Sequence, residues 1–179
     1  MKRTVLVALA LAGATACTSK NESAPAQAAD GRVEVGRPVP AYSTVSLEGD
    51  SVSLAAQKGK VVLVNIWATW CQPCRVEMPS IEALHRALGP RGLKVVAVSI
   101  DDPGQERKIA EFARQYGLTF ELLHDPAGAI QRTYQTTGVP ETFVIGRDGT
   151  IRKKEIGAAN WNSPSRRAVV EALLAEPAP

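Results

Sequence analysis

Residues 61–75 read VVLVNIWATWCQPCR, an apolar run of strand length that stops at Cys71 and Cys74, with a helical pattern following. A continuous apolar run of this kind is typical of a strand that is buried on both faces of a sheet. The two sulfurs are therefore expected at a strand-to-helix junction, where unpaired backbone N–H groups stabilise negative charge.

This position predicts the chemistry of the cysteine pair. A thiolate, not a thiol, attacks a disulfide, and a helix start lowers a cysteine pKa from about 8.5 into a range of roughly 3.5 to 7.5. Cys71, the first of the pair, is predicted to be the attacking sulfur. Cys74 lies one helical turn further on, close enough to form a disulfide with Cys71 and release a partner from a mixed disulfide. The spacing predicts a two-electron dithiol/disulfide couple, and we expect no cofactor.

Other uses of the same sulfurs stay open. A zinc site normally has four ligands, and the chain adds only Cys17, His85 and His124, neither histidine being at paired-ligand spacing from another Cys or His. A soft-metal protein that binds copper or zinc is one alternative, and an inert structural disulfide is another. A thiol oxidant or peroxide-reactive thiol protein is a third, because Gln72 and Pro73 between the cysteines do not set the reduction potential.

Residues 1–16 are predicted to be a signal peptide. Lys2 and Arg3 precede an apolar stretch over residues 4–14, which is followed by small residues and Cys17. About a dozen apolar residues fall short of the roughly 20 that a spanning helix needs. Cleavage removes two cations and no acid, so the formal net charge falls from +3 to +1. A near-neutral mature chain gives no electrostatic case for nucleic-acid binding.

Cys17 is predicted to be lipidated after export, because small residues followed by a cysteine resemble the bacterial lipobox. Ala14 departs from the leucine that is usual there, and ordinary signal-peptidase cleavage is the alternative, since Ala14 and Ala16 satisfy the small-x-small rule. Residues 17–34 are then the lipidated cysteine and a flexible tether, and residues 35–176 form one domain. We expect the protein in the bacterial cell envelope, in the periplasm or on the outer surface, anchored to a membrane by lipid.

The pattern along the chain predicts an α/β fold with a mixed central sheet flanked by helices. Strands are expected at residues 43–47, 51–54, 60–67, 94–100, 120–123, 141–145 and 150–156, the first two forming an N-terminal hairpin. Helices are expected at residues 71–88, 105–116 and 162–175. The first is predicted to have Met78, Ile81, Leu84 and Leu88 on one apolar stripe, and the last is predicted to pack through Val169, Val170, Leu173 and Leu174. A further helix is predicted to start with Asp125 as its cap and Pro126 as its first residue.

Two motifs, VNIWATWCQPCRVEMP over residues 64–79 and GVPETFVIGRDGTI over residues 138–151, resemble the thioredoxin superfamily. Within it, the chain is similar to the exported, membrane-tethered branch of the TlpA, ResA and cytochrome c maturation proteins. The resemblance runs from about residue 35 to residue 175. It implies a thioredoxin-like fold with an added N-terminal β-hairpin and a central insertion, here roughly residues 118–137.

The resemblance also implies a substrate-facing surface around the cysteines. Pro140 matches the cis-proline of the family, which faces the cysteine pair and leaves the backbone of Val139 free to pair with a substrate strand. Pro79 matches a proline that kinks the active-site helix. Trp70 is expected to pack beside Cys71 and to shape the surface that a substrate approaches.

Two acidic residues gain candidate roles through the resemblance. Asn65 stands where cytoplasmic thioredoxins carry a buried aspartate that moves the proton of the second thiol, and an amide cannot do this. Glu77 matches a glutamate of the exported branch and is predicted to serve instead, because burial raises a carboxyl pKa toward the operating pH. The alternative is a first-turn glutamate that favours the helix dipole. Glu141 is predicted to lie at the acidic rim of the substrate groove, with a solvated strand-edge glutamate as the alternative.

Together these features predict an exported thiol:disulfide oxidoreductase that reduces disulfides in envelope proteins. Apocytochrome c is the substrate that the resemblance implies, and unspecific envelope disulfides are the second candidate. Because the compartment is oxidising, a dithiol there must be kept reduced by a partner, and we expect a membrane-embedded electron donor. We expect a monomer that binds no metal and no nucleic acid.

Overall fold

The computed structural model describes residues 31–178, which form seven strands and four α-helices. The strands are β1 (Ser43–Ser46), β2 (Ser51–Ser53), β3 (Val61–Trp67), β4 (Leu93–Ser99), β5 (Glu121–His124), β6 (Glu141–Ile145) and β7 (Ile151–Ile156). The helices are α1 (Gln72–Leu88), α2 (Glu106–Tyr116), α3 (Ala129–Tyr134) and α4 (Pro164–Ala175). The predicted signal peptide, Cys17 and most of the tether lie outside this range. Between residues 31 and 178, no helix combines the length and the apolar character that crossing a membrane requires.

The seven strands form one mixed sheet in the order β2-β1-β5-β4-β3-β6-β7. The central strands β3, β4 and β5 are parallel, and β6 and β7 continue the sheet in antiparallel fashion. At the other edge, the β1–β2 hairpin pairs antiparallel with β5. The mixed sheet and the N-terminal hairpin confirm the predicted fold class.

Strand β3 lies between β4 and β6, and all seven of its residues are buried. Leu63 belongs to the apolar cluster that packs against α1, α2 and α4, whereas Val64 belongs to the cluster that contains α3 and the N-terminal segment. Full burial of one such side chain stabilises a fold by about 1.5 to 3 kcal/mol. A strand held from both faces gives a rigid end, and the cysteine pair follows directly after it.

Helix α1 has the buried stripe that the sequence predicts, made of Met78, Ile81, Leu84 and Leu88. Pro79 lies inside the helix and does not end it. Its lost N–H and the clash of its ring with the preceding turn are tolerated because this apolar stripe holds the helix on the sheet.

Two local predictions were wrong. Helix α3 begins at Ala129 with Gly128 as its cap, not at Asp125 and Pro126. The Asp125 carboxylate accepts hydrogen bonds from the backbone N–H of Ile130 and from the Tyr42 hydroxyl. Asp125 itself lies ahead of the helix. In α4, Val169 is exposed while the next residue is buried, because one face alone contacts the sheet.

Candidate active site

Cys71 and Cys74 are joined by a disulfide at the start of α1. Cys71 is the N-cap residue, and the backbone N–H of Cys74 donates to its Sγ at 3.1 Å. An N–H aimed at this sulfur stabilises a thiolate there in the reduced protein. Cys74 is fully buried, and Cys71 keeps 4% of its surface exposed. Cys71 is therefore the sulfur that a partner can reach.

The Val139–Pro140 peptide bond lies against the cysteine pair and is cis, as predicted. The Val139 carbonyl oxygen is 3.6 Å from Cys71 Sγ. Val139 is half-buried, Pro140 is buried, and β6 begins directly after them. The pairing of β6 with β3 thus brings this backbone to the sulfur that follows β3.

Two large apolar side chains near the pair in sequence are open to solvent. Trp70 is 61% exposed and Val76 is 69% exposed. Trp67, by contrast, is fully buried, with its ring centroid 4.8 Å from that of Phe112. Trp67 therefore belongs to the core, and the role of Trp70 in shaping the surface that a substrate approaches stays a prediction.

The carboxylate of Glu77 is buried at 1% exposure and surrounded by neutral donors. Its Oε1 accepts hydrogen bonds from the indole Nε1 of Trp161 at 2.7 Å and the backbone N–H of Ala159 at 3.2 Å. Its Oε2 accepts from Nδ2 of Asn65 at 3.1 Å. Burial raises the pKa of Glu77 to about 7, although these hydrogen bonds act in the opposite direction. A carboxyl group with this pKa can accept and return a proton near neutral pH.

The structure contradicts the alternative that Glu77 merely favours the dipole in the first turn of α1. The helix begins at Gln72, and its first turn contains no acidic residue. Glu77 lies beyond that turn, with its carboxylate held between helix, sheet and loop.

Asn65 connects three elements around this carboxylate. It is fully buried in β3, and its Nδ2 donates to Thr142 Oγ1 of β6 at 2.8 Å as well as to Glu77 of α1. Its Oδ1 is buried and has no partner among the residues that the structure describes. Asn65 therefore cannot move a proton itself, but it orients the carboxylate that can.

A cleft of about 350 Å³ reaches Glu77 from the surface. Val76, Pro79 and Ser80 of α1 line one side, and residues 158–160 line the other. Glu77 itself is among the residues that line this cleft, although its side chain is buried.

Comparison with known proteins agrees with this geometry. The model of the AhpC/TSA family matches residues 35–154. The chain belongs to the AhpC/TSA family. It is 32% identical over 153 residues to the thiol-disulfide oxidoreductase ResA of Bacillus cereus (strain ATCC 10987 / NRS 248), covering 82% of each chain. It is 38% identical over 126 residues to the thioredoxin-like protein YneN of Bacillus subtilis (strain 168), covering 70% of this chain and 73% of that one.

A solved structure is similar over the same region. The thioredoxin domain of a thiol-disulfide oxidoreductase from Bacteroides vulgatus superimposes with a TM-score of 0.68 at 26% identity, covering 79% of this chain and 98% of that one. The fold is thus thioredoxin-like. This AhpC/TSA-family chain is a thiol-disulfide oxidoreductase with a Cys71–Cys74 pair, and its substrates contain disulfides.

Glu141 of this AhpC/TSA-family chain is not the solvated residue of the alternative. It is 1% exposed, and its Oε1 is 2.9 Å from Nζ of Lys154. Its Oε2 accepts from the backbone N–H of Thr137 at 3.4 Å. The buried carboxylate is thus paired with the half-buried Lys154, and the predicted contact with substrate stays a prediction.

Trp161 is the site residue that sequence reasoning missed. It is 84 residues from the carboxylate to which it donates, so no local spacing connects the two. The available signal was a single large apolar side chain inside the small and polar stretch GAANWNS, residues 157–163. Within residues 31–178, no group of three or more His, Cys, Asp or Glu side chains is placed to hold a metal ion.

Proposed function

We propose that the protein reduces disulfides in proteins of the bacterial cell envelope, with Cys71 as the attacking thiolate and Glu77 as the proton acceptor for Cys74. The observation that carries the proposal is the buried Glu77 carboxylate, three residues beyond Cys74 on α1, whose pKa burial raises to about 7. Side chains three residues apart on a helix are neighbours, with Cβ atoms about 5 to 6 Å apart.

The first step is the attack of the Cys71 thiolate on one sulfur of a substrate disulfide. A bond forms between Cys71 Sγ and that sulfur, the substrate S–S bond breaks, and the other substrate sulfur leaves as a thiolate that takes a proton from water. The N–H of Cys74 aims at the attacking sulfur, and the Val139 backbone beside it is the proposed pairing site for the substrate chain.

The second step resolves the mixed disulfide. The Cys74 thiol gives its proton to Glu77, and the resulting thiolate attacks Cys71 Sγ. The intermolecular S–S bond breaks, and the second substrate sulfur leaves as a thiolate. The substrate has gained two electrons, and the enzyme has lost them in forming the Cys71–Cys74 disulfide. Glu77 then passes its proton to water through the cleft beside α1.

Continued turnover needs a donor of two electrons to restore the dithiol, and the proposed donor is a membrane-embedded protein. The apolar N-terminal stretch, the small residues before Cys17 and the polar segment after it support export and a lipid anchor. Apocytochrome c is the proposed substrate on the basis of the similarity of the two motifs to the cytochrome c maturation proteins.

Covalent trapping tests the order of attack and the substrate. A Cys74→Ser variant should accumulate mixed disulfides in cells through Cys71, whereas the matched Cys71→Ser variant should trap nothing. Mass spectrometry of the trapped partners is expected to recover apocytochrome c and a membrane-embedded donor. Trapping by Cys71→Ser but not by Cys74→Ser would reverse the order of attack. Recovery of many unrelated envelope proteins would contradict apocytochrome c as the specific substrate and would indicate a broad substrate range.

The anchor is tested separately, by replacing Cys17. A Cys17→Ser variant should move from the membrane fraction to the soluble fraction after export. An unchanged distribution would support ordinary signal-peptidase cleavage in place of lipidation.

A further inference from the structure

The loop between β7 and α4, residues 157–163, is fastened to α1 beside the redox pair. Gly157, whose φ is +85°, turns the chain out of β7 and donates its N–H to the Pro140 carbonyl at 2.9 Å. The hydroxyl of Ser80 accepts from the backbone N–H of Trp161 at 3.0 Å and donates to the Glu77 carbonyl at 2.7 Å. The loop thus donates backbone hydrogen bonds to two residues of α1, from Trp161 to Ser80 and from Ala159 to Glu77, and these bonds hold Trp161 beside the helix.

The Trp161 indole has one polar atom, and that atom is aimed at the carboxylate. The side chain is fully buried, and its Nε1 is 2.7 Å from Glu77 Oε1. An indole donates and cannot accept, so this bond favours the ionised carboxylate over the neutral acid. A buried charge is costly unless it is paired or hydrogen-bonded, and Glu77 forms no ion pair with a residue of the described chain.

We propose that Trp161 is a positioning residue for the reaction: its indole N–H holds the Glu77 carboxylate in place and in the ionised form that accepts the Cys74 proton. The inference rests on the proposed role of Glu77 and deepens it. Trp161 acts through Glu77 and need not touch the sulfurs or the substrate.

Only a few groups on the elements packed around Glu77 change its pKa. Asn65 from β3, and Trp161 and Ala159 from the loop, donate hydrogen bonds that lower its pKa. Glu155 of β7 is the charged group that raises it, and Lys153 and Arg166 pair with that glutamate. Since none of the donors to Glu77 is a cation, loss of one neutral donor should shift its pKa clearly.

The test compares two tryptophans. Trp161→Phe removes the indole N–H and keeps most of the ring volume. Trp67→Phe is the matched control, because Trp67 is also fully buried but its Nε1 has no partner among residues 31–178. The rate of mixed-disulfide resolution is measured from pH 5 to 9 in both variants, in wild type and in Glu77→Gln. The acid limb of this profile is the fall in rate at low pH. Trp161→Phe should raise its midpoint by about one pH unit, so that below the midpoint the ionised fraction of Glu77 is about tenfold smaller. Trp67→Phe should leave the midpoint in place.

A second measurement uses the folded wild-type protein and so does not depend on the variants folding. In a ¹H–¹⁵N spectrum, the indole resonance of Trp161 should shift with pH around a midpoint near that of Glu77, about 7. The indole resonances of Trp67 and Trp70 should not follow this titration. A Trp161 resonance that does not move between pH 5 and 9 would overturn the inference.

The outcomes separate the two proposals. If Glu77→Gln abolishes the acid limb while Trp161→Phe keeps the wild-type midpoint, the positioning role is wrong and the role of Glu77 stands. If Glu77→Gln keeps the acid limb, the proposed role of Glu77 is wrong, and the role of Trp161 is wrong with it. Equal shifts in Trp161→Phe and Trp67→Phe would also overturn the inference, because loss of ring volume would then explain both.

Discussion

Two glutamates of α1, Glu77 near its start and Glu82 further along, are both buried, and their surroundings differ in one respect. Glu82 is paired with the cation Arg86 and accepts from the backbone N–H and hydroxyl of Thr119 at 2.8 and 2.7 Å. Glu77 accepts from an indole, an amide side chain and a backbone N–H, none of them charged. One carboxylate has a cation, and the other has neutral donors alone.

The pKa shifts of the two groups are opposite in sign. Burial raises both, but at Glu82 the hydrogen bonds of Thr119 and the hydrogen bond and charge of Arg86 outweigh it and lower the pKa. At Glu77 burial prevails and raises the pKa to about 7. Burial alone therefore does not make a base on this helix. Burial without a cation raises the pKa toward neutrality at Glu77, as the proposed base requires, whereas Glu82 links α1 to the chain that leads into β5.

The kinetic difference between the two glutamates is expected to be large. Glu77→Gln should slow resolution of the mixed disulfide at pH 7 by roughly 10²-fold or more, the range in which general acid–base catalysis contributes. Glu82→Gln, the matched variant on the same helix, should resolve within about twofold of wild type. Stopped-flow exchange with a model disulfide measures both. Equal rate losses in the two variants would contradict the proposal that Glu77, and not Glu82, takes part in the resolution step.

The two groups should also affect stability with opposite pH dependence. The pKa of Glu77 is about 7 in the folded protein against an ordinary 4.5, so the native state keeps a proton that the unfolded chain loses. The free energy of unfolding should therefore fall by about 3 kcal/mol as pH rises from 4.5 to 7. Glu82, whose folded pKa is lowered, stabilises above its ordinary pKa and loses that contribution as pH falls. Denaturant unfolding of the oxidised protein across this range should show a flatter profile in Glu77→Gln, and an identical slope would contradict the shift.

A second carboxylate beside Glu77 should raise the pKa of Glu77 while the Glu77 side chain stays in place. Asn65 Nδ2 lies 3.1 Å from Glu77 Oε2, and Asn65→Asp replaces this donor with a second carboxylate. Two adjacent carboxylates cannot both ionise easily, so the acid limb should rise by about one unit or more, with roughly tenfold slower resolution at pH 7. Thr142→Val is the control, because it removes the other partner of Asn65 and adds no charge. A wild-type profile in Asn65→Asp would contradict the expectation.

The effect of removing the cation from Glu82 should be small. Arg86 is 63% exposed, so solvent screens its pairing with Glu82, and Arg86→Met should cost about 1 kcal/mol of stability or less. Chemical denaturation measures this cost. Exchange kinetics should not change, since the site around Glu77 is untouched, and a slower exchange reaction would show that the two ends of α1 are coupled.

Sequence patterns predicted the framework of the site better than its chemistry. The apolar run of β3 and the stripe of α1 follow from simple periodicity, and they place Cys71 at a helix start. Periodicity does not distinguish Glu77 from Glu82, because both lie on the same helix and both are buried. The cation that pairs with Glu82 is Arg86, four residues further along the same helix. The other partners come from distant parts of the chain, Thr119 for Glu82 and Trp161 for Glu77.

The errors have the same origin. Asp125 was predicted to cap a helix that starts directly after it, but its carboxylate also accepts from Tyr42, 83 residues earlier. Val169 was predicted to pack, but α4 turns that residue to solvent. Tertiary packing decided each case, through the contact with Tyr42 for Asp125 and through the face of α4 that packs on the sheet for Val169.

The most direct measurement is the pKa of Glu77 itself. In oxidised protein labelled with ¹³C at the glutamate carboxyl groups, NMR titration should show one resonance with a midpoint near 7, absent from Glu77→Gln, while Glu82 titrates below its ordinary value. Titration of the Glu77 resonance near the ordinary 4.5 would contradict its role as the proton acceptor for Cys74.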